Sequence, residues 1–144
     1  MYHYTSVEQG KKLVELGLSR DTADMYYEFN FITEKNLQIP KVVNGSLHDT
    51  SLRNIPCWSV GALLNLMPPY LFEWERGIDL NIYRNLNGKG WHVSYMPNNI
   101  EDMKKDKFKQ ISSGDSTIEA AYNMMVWLLE NDHVKKYLKI LNKV

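Results

Sequence analysis

The segment "IDLNIYRNLNGKGWHVSYMP" at residues 78–97 carries the strongest β-strand pattern in the chain, so the prediction of the fold begins there. Two runs of alternating side chains flank Asn87-Gly88, a dipeptide typical of a two-residue type I′ turn. Counting outward from that turn predicts an antiparallel β-hairpin over residues 78–96 and fixes its register.

This register divides the hairpin into two faces. The more apolar face, which we expect to meet the core, holds three cross-strand pairs: Arg84 with Trp91, Ile82 with Val93, and Leu80 with Tyr95. The more polar face holds two pairs: Tyr83 with His92, and Asn81 with Ser94. Because the second face carries hydrogen-bond donors and acceptors beside a flat ring, it is a candidate wall for a small ligand.

We therefore predict a ligand site on the hairpin, with six residues: Tyr83, His92, Asn81, Ser94, Arg84 and Trp91. In this interpretation the tyrosine ring stacks on the ligand, while the histidine and asparagine side chains bond its edges. Arg84 beside Trp91 fits a cation–π stack, and a strong twist of the hairpin would let Arg84 meet a phosphate. The alternative is a solvated sheet face that holds no ligand.

The residues before the hairpin predict two helices separated by a corner. Thr5 and Glu8 have the spacing of a capping box, so a first helix should begin there and end before Gly17. Ser19 then caps a short second helix that runs through Met25.

Three further helices follow from caps and periodicity. Ser59 caps a helix that Pro68-Pro69 ends. Ser116 and Glu119 have capping-box spacing at the start of "DSTIEAAYNMMVWLLEN", whose apolar residues repeat at helical spacing. A short amphipathic helix with many lysines follows at residues 133–144.

The remaining segments predict short strands and loops. Residues 26–36 and 37–43 are predicted as strands, and Pro40 confines the second to the edge of a sheet. Residues 44–54 are predicted as a polar loop, and residues 98–114 as a charged loop or short helix. With the hairpin, these elements predict the α+β class: a single domain over residues 1–144, with helices packed on a small antiparallel sheet.

Composition narrows the classes of function. The chain has 144 residues, with 17 Lys+Arg and 17 Asp+Glu, so its formal net charge at pH 7 is zero. A neutral chain without a basic stripe is poorly suited to bind duplex nucleic acid, whose affinity comes mainly from phosphate contacts. The single cysteine, the lack of a signal-peptide pattern and the lack of a long apolar run predict a cytoplasmic protein that does not enter membranes.

One cysteine and one histidine form the sharpest catalytic candidate. Cys57 precedes Trp58 and a predicted helix, and His92 lies on a strand, an order that resembles papain-like cysteine hydrolases. This resemblance implies a thiol nucleophile with an imidazole base. The chain departs from the family at Ile55-Pro56, where the family has Gly-Ser, and the predicted cap Ser59 leaves the thiol outside the helix. We therefore prefer a packed thiol, since free cysteine is often buried as a small hydrophobic residue.

The sequence predicts no metal site and no cofactor. The four histidines (His3, His48, His92 and His133) are scattered and form no pair one helical turn apart. The segment "NGKG" at residues 87–90 is too short for a phosphate-binding loop and is predicted as a turn.

Four phrases of the sequence resemble a group of small uncharacterised proteins of phages, prophages and mobile elements in gut anaerobic bacteria. The phrases are "GKKLVELGLSRDTADM", "PCWSVGALLNLMPP", "GWHVSYM" and "STIEAAYNMMVWLLEN". The group has no assigned activity, so the resemblance implies only a phage accessory protein in the host cytoplasm. Small phage proteins often block a host enzyme or capture a host signalling molecule, including the nucleotides used in antiviral signalling.

Three functions remain open at this point. The first is a non-enzymatic protein that sequesters a host protein or a small ligand, with nucleotide-derived immune signals as one class; the 12% aromatic content and the neutral charge favour it. The second is a papain-like cysteine hydrolase that uses Cys57 and His92. The third is a structural or assembly protein that acts by forming homo-oligomers, favoured only by the amphipathic helix at residues 133–144.

Overall fold

The computed structural model describes residues 3–45, 47, 51–71, 78–97 and 110–140. Four α-helices occur in these ranges: α1 (Val7–Glu15), α2 (Val60–Leu66), α3 (Thr117–Glu130) and α4 (His133–Ile140). Eight strands accompany them: β1 (Met25–Tyr27), β2 (Phe29–Asn30), β3 (Lys35–Asn36), β4 (Lys41–Val42), β5 (Ile55–Cys57), β6 (Ile78–Arg84), β7 (Trp91–Pro97) and β8 (Gln110–Gly114). They form three antiparallel sheets in the orders β4-β1-β5, β2-β3 and β6-β7-β8. The predicted α+β class is therefore confirmed.

Helix α1 has a different cap from the predicted one. The Ser6 hydroxyl accepts the backbone N–H of Gln9 at 3.1 Å, and the Gln9 side chain accepts that of Ser6 at 2.9 Å. The capping box is therefore Ser6–Gln9, and the prediction of Thr5 and Glu8 is wrong by one residue. Thr5 is instead fully buried, and its hydroxyl accepts the backbone N–H of Trp58 at 3.0 Å. This long-range contact holds Thr5 in the core and leaves the cap to its neighbour.

The corner after α1 is only partly as predicted. Gly17 has a φ of +100°, the left-handed conformation typical of the residue after a helix. Ser19 is an N-cap, but it caps a single 3-10 turn at Arg20–Thr22 rather than a helix through Met25. Met25 instead begins β1, which pairs with both β4 and β5. Pairing with distant strands therefore overrides the local helix signal.

The sheet β4-β1-β5 joins segments that are far apart in the sequence. Met25 pairs with Cys57, and Tyr27 pairs with Ile55. Strand β5 was not predicted, because its three residues include Pro56, which cannot donate to a strand ladder. Cys57 therefore lies on a strand, two residues before the helix that Ser59 caps.

The two strands predicted over residues 26–43 are shorter and more divided in the structure. The first, at 26–36, falls on β1 and on the hairpin of β2 and β3, whose turn holds Glu34 at a φ of +56°. The second, at 37–43, shrinks to β4, which lies at the edge of its sheet directly after Pro40. The following polar loop is described at residues 44–45, 47 and 51–54, and it contains one buried apolar residue, Leu47.

Helix α2 begins after Ser59, as predicted. The Ser59 hydroxyl accepts the backbone N–H of Ala62 at 3.1 Å, and Leu63 and Leu66 are buried. The helix ends at Leu66, just before the proline pair, because proline lacks the N–H that would extend it.

The hairpin register is as predicted, but the turn is not. Arg84 pairs with Trp91, and the pairing continues in the expected register along β6 and β7. The Asn85 carbonyl accepts the backbone N–H of Gly88 at 2.9 Å, so the tight turn consists of the four residues from Asn85 to Gly88. Gly88 has a φ of +75°, whereas Asn87 lies outside the left-handed region that a type I′ turn requires. The predicted turn at Asn87-Gly88 is therefore wrong.

The third strand of this sheet, β8, lies in a segment predicted as a charged loop or short helix. It pairs with β7, which places Ser113 opposite His92 and Ile111 opposite Ser94. The prediction is therefore wrong at residues 110–114, and residues 98–109 lie outside the described residues. The segment "QISSG" has too little apolar alternation to predict a strand by itself.

Helix α3 packs against β7 and β8 and forms much of the core. Ser116 caps it by accepting the backbone N–H of Glu119 at 3.3 Å, as predicted. Its buried residues are Ile118, Ala120, Ala121, Met124, Met125, Leu128 and Leu129. The approach to β8 is so close that a Cβ on Gly114 would lie 2.5 Å from the Glu119 Cβ. Among the described residues, no helix is long and apolar enough to cross a membrane.

Candidate functional site

The sheet β6-β7-β8 has an inner face on the core and an outer face away from it. On the inner face, Val93 and Tyr95 are fully buried, and Leu80 and Trp91 pack against the same core. Ile82 and Arg84 are the exceptions, since both side chains are exposed, that of Ile82 by 41%. The face predicted as apolar therefore does meet the core.

On the outer face, three side chains from three strands lie in one row. Tyr83, His92 and Ser113 are register partners on β6, β7 and β8. The ring centroids of Tyr83 and His92 are 5.1 Å apart, with 40° between the ring planes. Nδ1 of His92 and Oγ of Ser113 share a hydrogen bond of 2.6 Å. The row combines an exposed ring with hydrogen-bonding groups, which suits a flat ligand with polar edges.

The next row of the outer face holds a buried polar atom without a partner. It consists of Asn81, Ser94 and Ile111, again register partners on the three strands. Ser94 is fully buried, and its Oγ is the one buried side-chain nitrogen or oxygen in the described part of the chain that has no hydrogen-bond partner. An unpaired buried hydroxyl costs about 1–3 kcal/mol. Nearly all buried polar groups are paired, so this exception needs a physical reason.

The side chain of Tyr83 contacts the two residues that flank Ser94 on the outer face of β7. The Tyr83 ring contacts His92, and its hydroxyl donates to Sδ of Met96 at 3.9 Å. Because side chains alternate along a strand, His92, Ser94 and Met96 share one face of β7, with Ser94 in the middle. The tyrosine therefore spans the serine from one neighbour to the other, while 36% of the tyrosine surface stays exposed.

Arg84 and Trp91 lie on the inner side of the sheet, away from Tyr83 and His92. The Arg84 guanidinium carbon is 5.8 Å from the centroid of the Trp91 ring, so the predicted cation–π contact forms. One guanidinium N–H of Arg84 also donates to the Gly88 carbonyl at 3.1 Å. The six predicted residues therefore divide into four on the outer face and two on the inner side.

The described residues of the outer face carry little charge. Strand alternation places these described residues on it: Asp79, Asn81, Tyr83, His92, Ser94, Met96, Ile111 and Ser113. This set includes one carboxylate and neither lysine nor arginine. A phosphate therefore meets no arginine or lysine partner among the described residues of this face.

The thiol of Cys57 is packed and poorly suited to nucleophilic attack. Cys57 is fully buried, and its thiol donates to the Thr5 carbonyl at 3.3 Å. Burial raises the pKa of Cys57 to about 11, whereas a nucleophilic thiol needs a lowered pKa. His92 belongs to another sheet, and its described contacts are to Tyr83 and Ser113. The described contacts therefore do not join Cys57 to His92.

The histidines lie in separate environments. His133 is buried and stacks on Trp127, with 5.0 Å between ring centroids, while His3 is exposed. His48 lies outside the described residues. In the ranges that the structure describes, no three His, Cys, Asp or Glu side chains are placed to hold a metal ion.

Two clefts of ligand size lie away from the outer face. One of about 740 Å³ lies between the 3-10 turn and α2. There the Asp24 carboxylate accepts both the N–H of Ser59, at 2.9 Å, and its hydroxyl, at 2.5 Å. The other, of about 640 Å³, lies between the first turns of α1 and α3, whose cap side chains bond within their own helices. Neither cleft contains the unpaired buried atom, which makes Ser94 the more informative position.

Sequence reasoning missed Ser113, because it placed residues 98–114 outside the sheet. It also missed a run of exposed apolar side chains at residues 31–52, which we call the apolar segment. Its members, each at least 39% exposed, are Phe31, Ile32, Leu37, Ile39, Val42 and Leu52. Exposed apolar surface of this kind often marks a contact with another protein. Five of these six residues lie in the two predicted strands at residues 26–43, whose buried and exposed faces the sequence did not assign.

Comparisons of the chain with protein-family models, with curated proteins and with solved structures find no match. The resemblance to phage and mobile-element proteins therefore stays a prediction. Function has to be argued from the geometry of the site, since a fold class alone does not imply one.

Proposed function

We propose that this protein is a non-enzymatic binding protein that sequesters a small ligand on the outer face of the sheet β6-β7-β8. The ligand has a flat ring and hydrogen-bonding edges, and nucleotide-derived signalling molecules are one such class. The observation that carries the proposal is the row of Tyr83, His92 and Ser113 beside the unpaired hydroxyl of Ser94.

Each residue of the outer face has a distinct role in this proposal. The Tyr83 ring stacks on the ligand, because it is an exposed flat surface. Ser113 orients the His92 ring through the 2.6 Å hydrogen bond, which leaves the other ring nitrogen as the group that bonds the ligand. The Asn81 side chain supplies both a donor and an acceptor.

The setting of this activity follows from the sequence resemblance and is part of the proposal. In a phage accessory protein in the host cytoplasm, sequestration withholds a signalling molecule from the host. Such a protein needs no catalytic residue, which agrees with the buried, protonated thiol of Cys57.

Calorimetric titration of cyclic and linear nucleotides and of nucleosides tests the proposal. The double variant Tyr83→Ala/His92→Ala should lose binding, because both ligand-facing rings are gone. Its melting temperature should stay close to that of the parent, because neither ring belongs to the buried core. Phe31→Ala is the matched control, since it removes a 66% exposed ring from the turn between β2 and β3 and should bind like the parent.

Two results would contradict the proposal. Equal binding by the parent and the double variant would place the site elsewhere. Unfolding of the double variant would show that the outer face belongs to the core.

The apolar segment favours a second candidate, a protein that acts by self-association. Ile32 is 94% exposed and Val42 is 69% exposed. Val42 lies on β4, which is an edge strand of its sheet in the described part of the chain, and an edge strand is a place where a second copy can pair. Sedimentation velocity should then show a dimer that Val42→Lys converts to a monomer. A parent that stays monomeric at every concentration would rule this candidate out.

A further inference from the structure

The contacts that hold Tyr83 over Ser94 are weak and lie at the two ends of the side chain. One is the 3.9 Å contact from the hydroxyl to Met96, and the other is the tilted contact to the His92 ring at 5.1 Å. Contacts of an O–H group to sulfur, and of rings at this tilt, are second-order interactions. Because side-chain rotamers of exposed residues change within nanoseconds, Tyr83 can move without any change in the strand.

Movement of Tyr83 exposes a narrow slot with Ser94 as its floor. Asn81 borders the slot on β6, and Ile111, 40% exposed, borders it on β8. The floor hydroxyl can donate one hydrogen bond and accept others, and the amide can do the same. A slot with polar groups below and an apolar wall beside them suits a flat ring that carries donors and acceptors on its edge.

The charge of the described outer-face residues bears on whether the ring can carry a phosphate. The described outer-face residues include Asp79 but neither lysine nor arginine. Arg84 is held on the inner side by Trp91 and by the Gly88 carbonyl. A phosphate therefore gains no charge-assisted bond from these residues and approaches a carboxylate.

We infer that Tyr83 is a movable cover over Ser94, and that the ligand is an uncharged heteroaromatic ring of the nucleobase or nucleoside class. This inference rests on the proposed function and narrows its ligand from nucleotide-derived molecules in general to those without a phosphate. On opening, Ser94 gains the partner that it lacks in the covered state, and the displaced Tyr83 ring stacks on the ligand from above. The hydroxyl of Ser94, unpaired in the covered state, therefore bonds the ligand in the open state.

The cover is tested first without any ligand. Ser94→Cys places a thiol below Tyr83, and the chain's own thiol, Cys57, is fully buried. Iodoacetamide should label position 94 slowly, and adding Tyr83→Ala should raise the rate by about tenfold or more, in line with removal of a gating side chain. Adding Ile82→Ala instead is the control, because Ile82 lies on the same strand but the opposite face. Equal rates with and without Tyr83 would overturn the cover, and melting curves confirm that each variant is folded.

The ligand class is tested by calorimetry with four nucleosides (adenosine, guanosine, cytidine and uridine) and their 5′-monophosphates. At least one nucleoside should bind, about tenfold more tightly than its monophosphate. Ser94→Ala should weaken that binding by about tenfold, the effect of one lost hydrogen bond. Ser112→Ala is the control, since Ser112 is a buried serine of the same sheet that faces Met124 of the core.

The outcomes separate this inference from the proposed function. Tighter binding of the monophosphates, or no binding of any nucleoside, would overturn the ligand class. If Tyr83→Ala/His92→Ala abolishes binding but Ser94→Ala does not, the outer face binds the ligand and the slot is wrong. If the double variant still binds, the proposed function fails as well.

Discussion

The two faces of the sheet β6-β7-β8 consist of alternate residues of the same strands, but they differ in whether their polar groups have hydrogen-bond partners. On the inner face, Tyr95 is fully buried, and its hydroxyl donates to the Pro68 carbonyl at 2.6 Å. On the outer face, Tyr83 is 36% exposed, and its hydroxyl contacts only the sulfur of Met96 among its described partners. Ser94, below it, is buried and unpaired in the described part of the chain.

This difference in pairing separates the inner face, which contributes to stability, from the outer face, which is available for function. Buried, paired groups stabilise the fold, whereas an exposed ring and an unpaired hydroxyl do not. Local departures from full pairing are expected at functional sites rather than in a core. Changes on the inner face should therefore lower the free energy of unfolding, and changes on the outer face should alter binding instead.

The largest expected effect concerns the helix that covers the inner face. Leu128 of α3 is fully buried, so Leu128→Ala should lower the free energy of unfolding by about 2–5 kcal/mol through lost burial and a cavity. Ile111→Ala on the outer face, where the side chain is 40% exposed, should change it by less than about 0.5 kcal/mol. Urea unfolding of both variants measures the contrast, and a Leu128→Ala variant as stable as the parent would mean that α3 does not cover a core.

The two tyrosines give the next effect in size. Tyr95→Phe removes the donor to the Pro68 carbonyl and leaves that buried acceptor unpaired, which should lower the free energy of unfolding by about 1–3 kcal/mol. Burial raises the pKa of Tyr95, so the hydroxyl stays protonated and donates at neutral pH. Tyr83→Phe, the matched change on the outer face, should leave stability nearly unchanged. Equal losses in the two variants, measured by chemical denaturation, would remove the distinction between the faces.

A smaller effect on stability is expected at Cys57, in the sheet β4-β1-β5. Cys57→Ala should lower the free energy of unfolding by about 1 kcal/mol, the cost of a small truncation in the core, and should leave ligand binding intact. Because burial raises the pKa of Cys57 to about 11, its thiol should react slowly with iodoacetamide at neutral pH. Fast labelling, with a titration midpoint well below that of a free thiol, would support the hydrolase instead.

The smallest effect is expected at Ser94. Ser94→Ala removes a buried hydroxyl that has no partner among the described residues, so the variant should melt at or slightly above the temperature of the parent. Differential scanning calorimetry measures this. A clear loss of stability would show that the hydroxyl is bonded in solution, and the argument for a slot would then fail.

Local signals explain which parts of the fold the sequence predicted. Counting outward from Asn87-Gly88 predicted the register of β6 and β7 even though the turn type was wrong, because the midpoint between the paired Arg84 and Trp91 still lies between Asn87 and Gly88. The serine caps at Ser59 and Ser116 were correct, since a cap depends on residues three apart. By contrast, β5 and β8 are short, and each pairs with an earlier strand, β5 with β1 and β8 with β7. No local pattern marks such strands.

The candidate site was also predictable only where local signals determine it. The register alone placed Asn81, Tyr83, His92 and Ser94 on one face. The burial of Ser94 was not predictable, because strand alternation assigns a residue to a face but does not say how far that face is covered. The contact of His92 with Ser113 was not predictable either, because it depends on β8.

The most direct test of the outer-face site is a two-dimensional amide NMR spectrum of the labelled protein during titration with the nucleoside that binds best in calorimetry. We predict chemical-shift changes concentrated on β6, β7 and β8, strongest at Tyr83, His92, Ser94 and Ser113, and absent in the Tyr83→Ala/His92→Ala variant. Shifts concentrated at the cleft beside Asp24 and Ser59, or at the apolar segment, would contradict it.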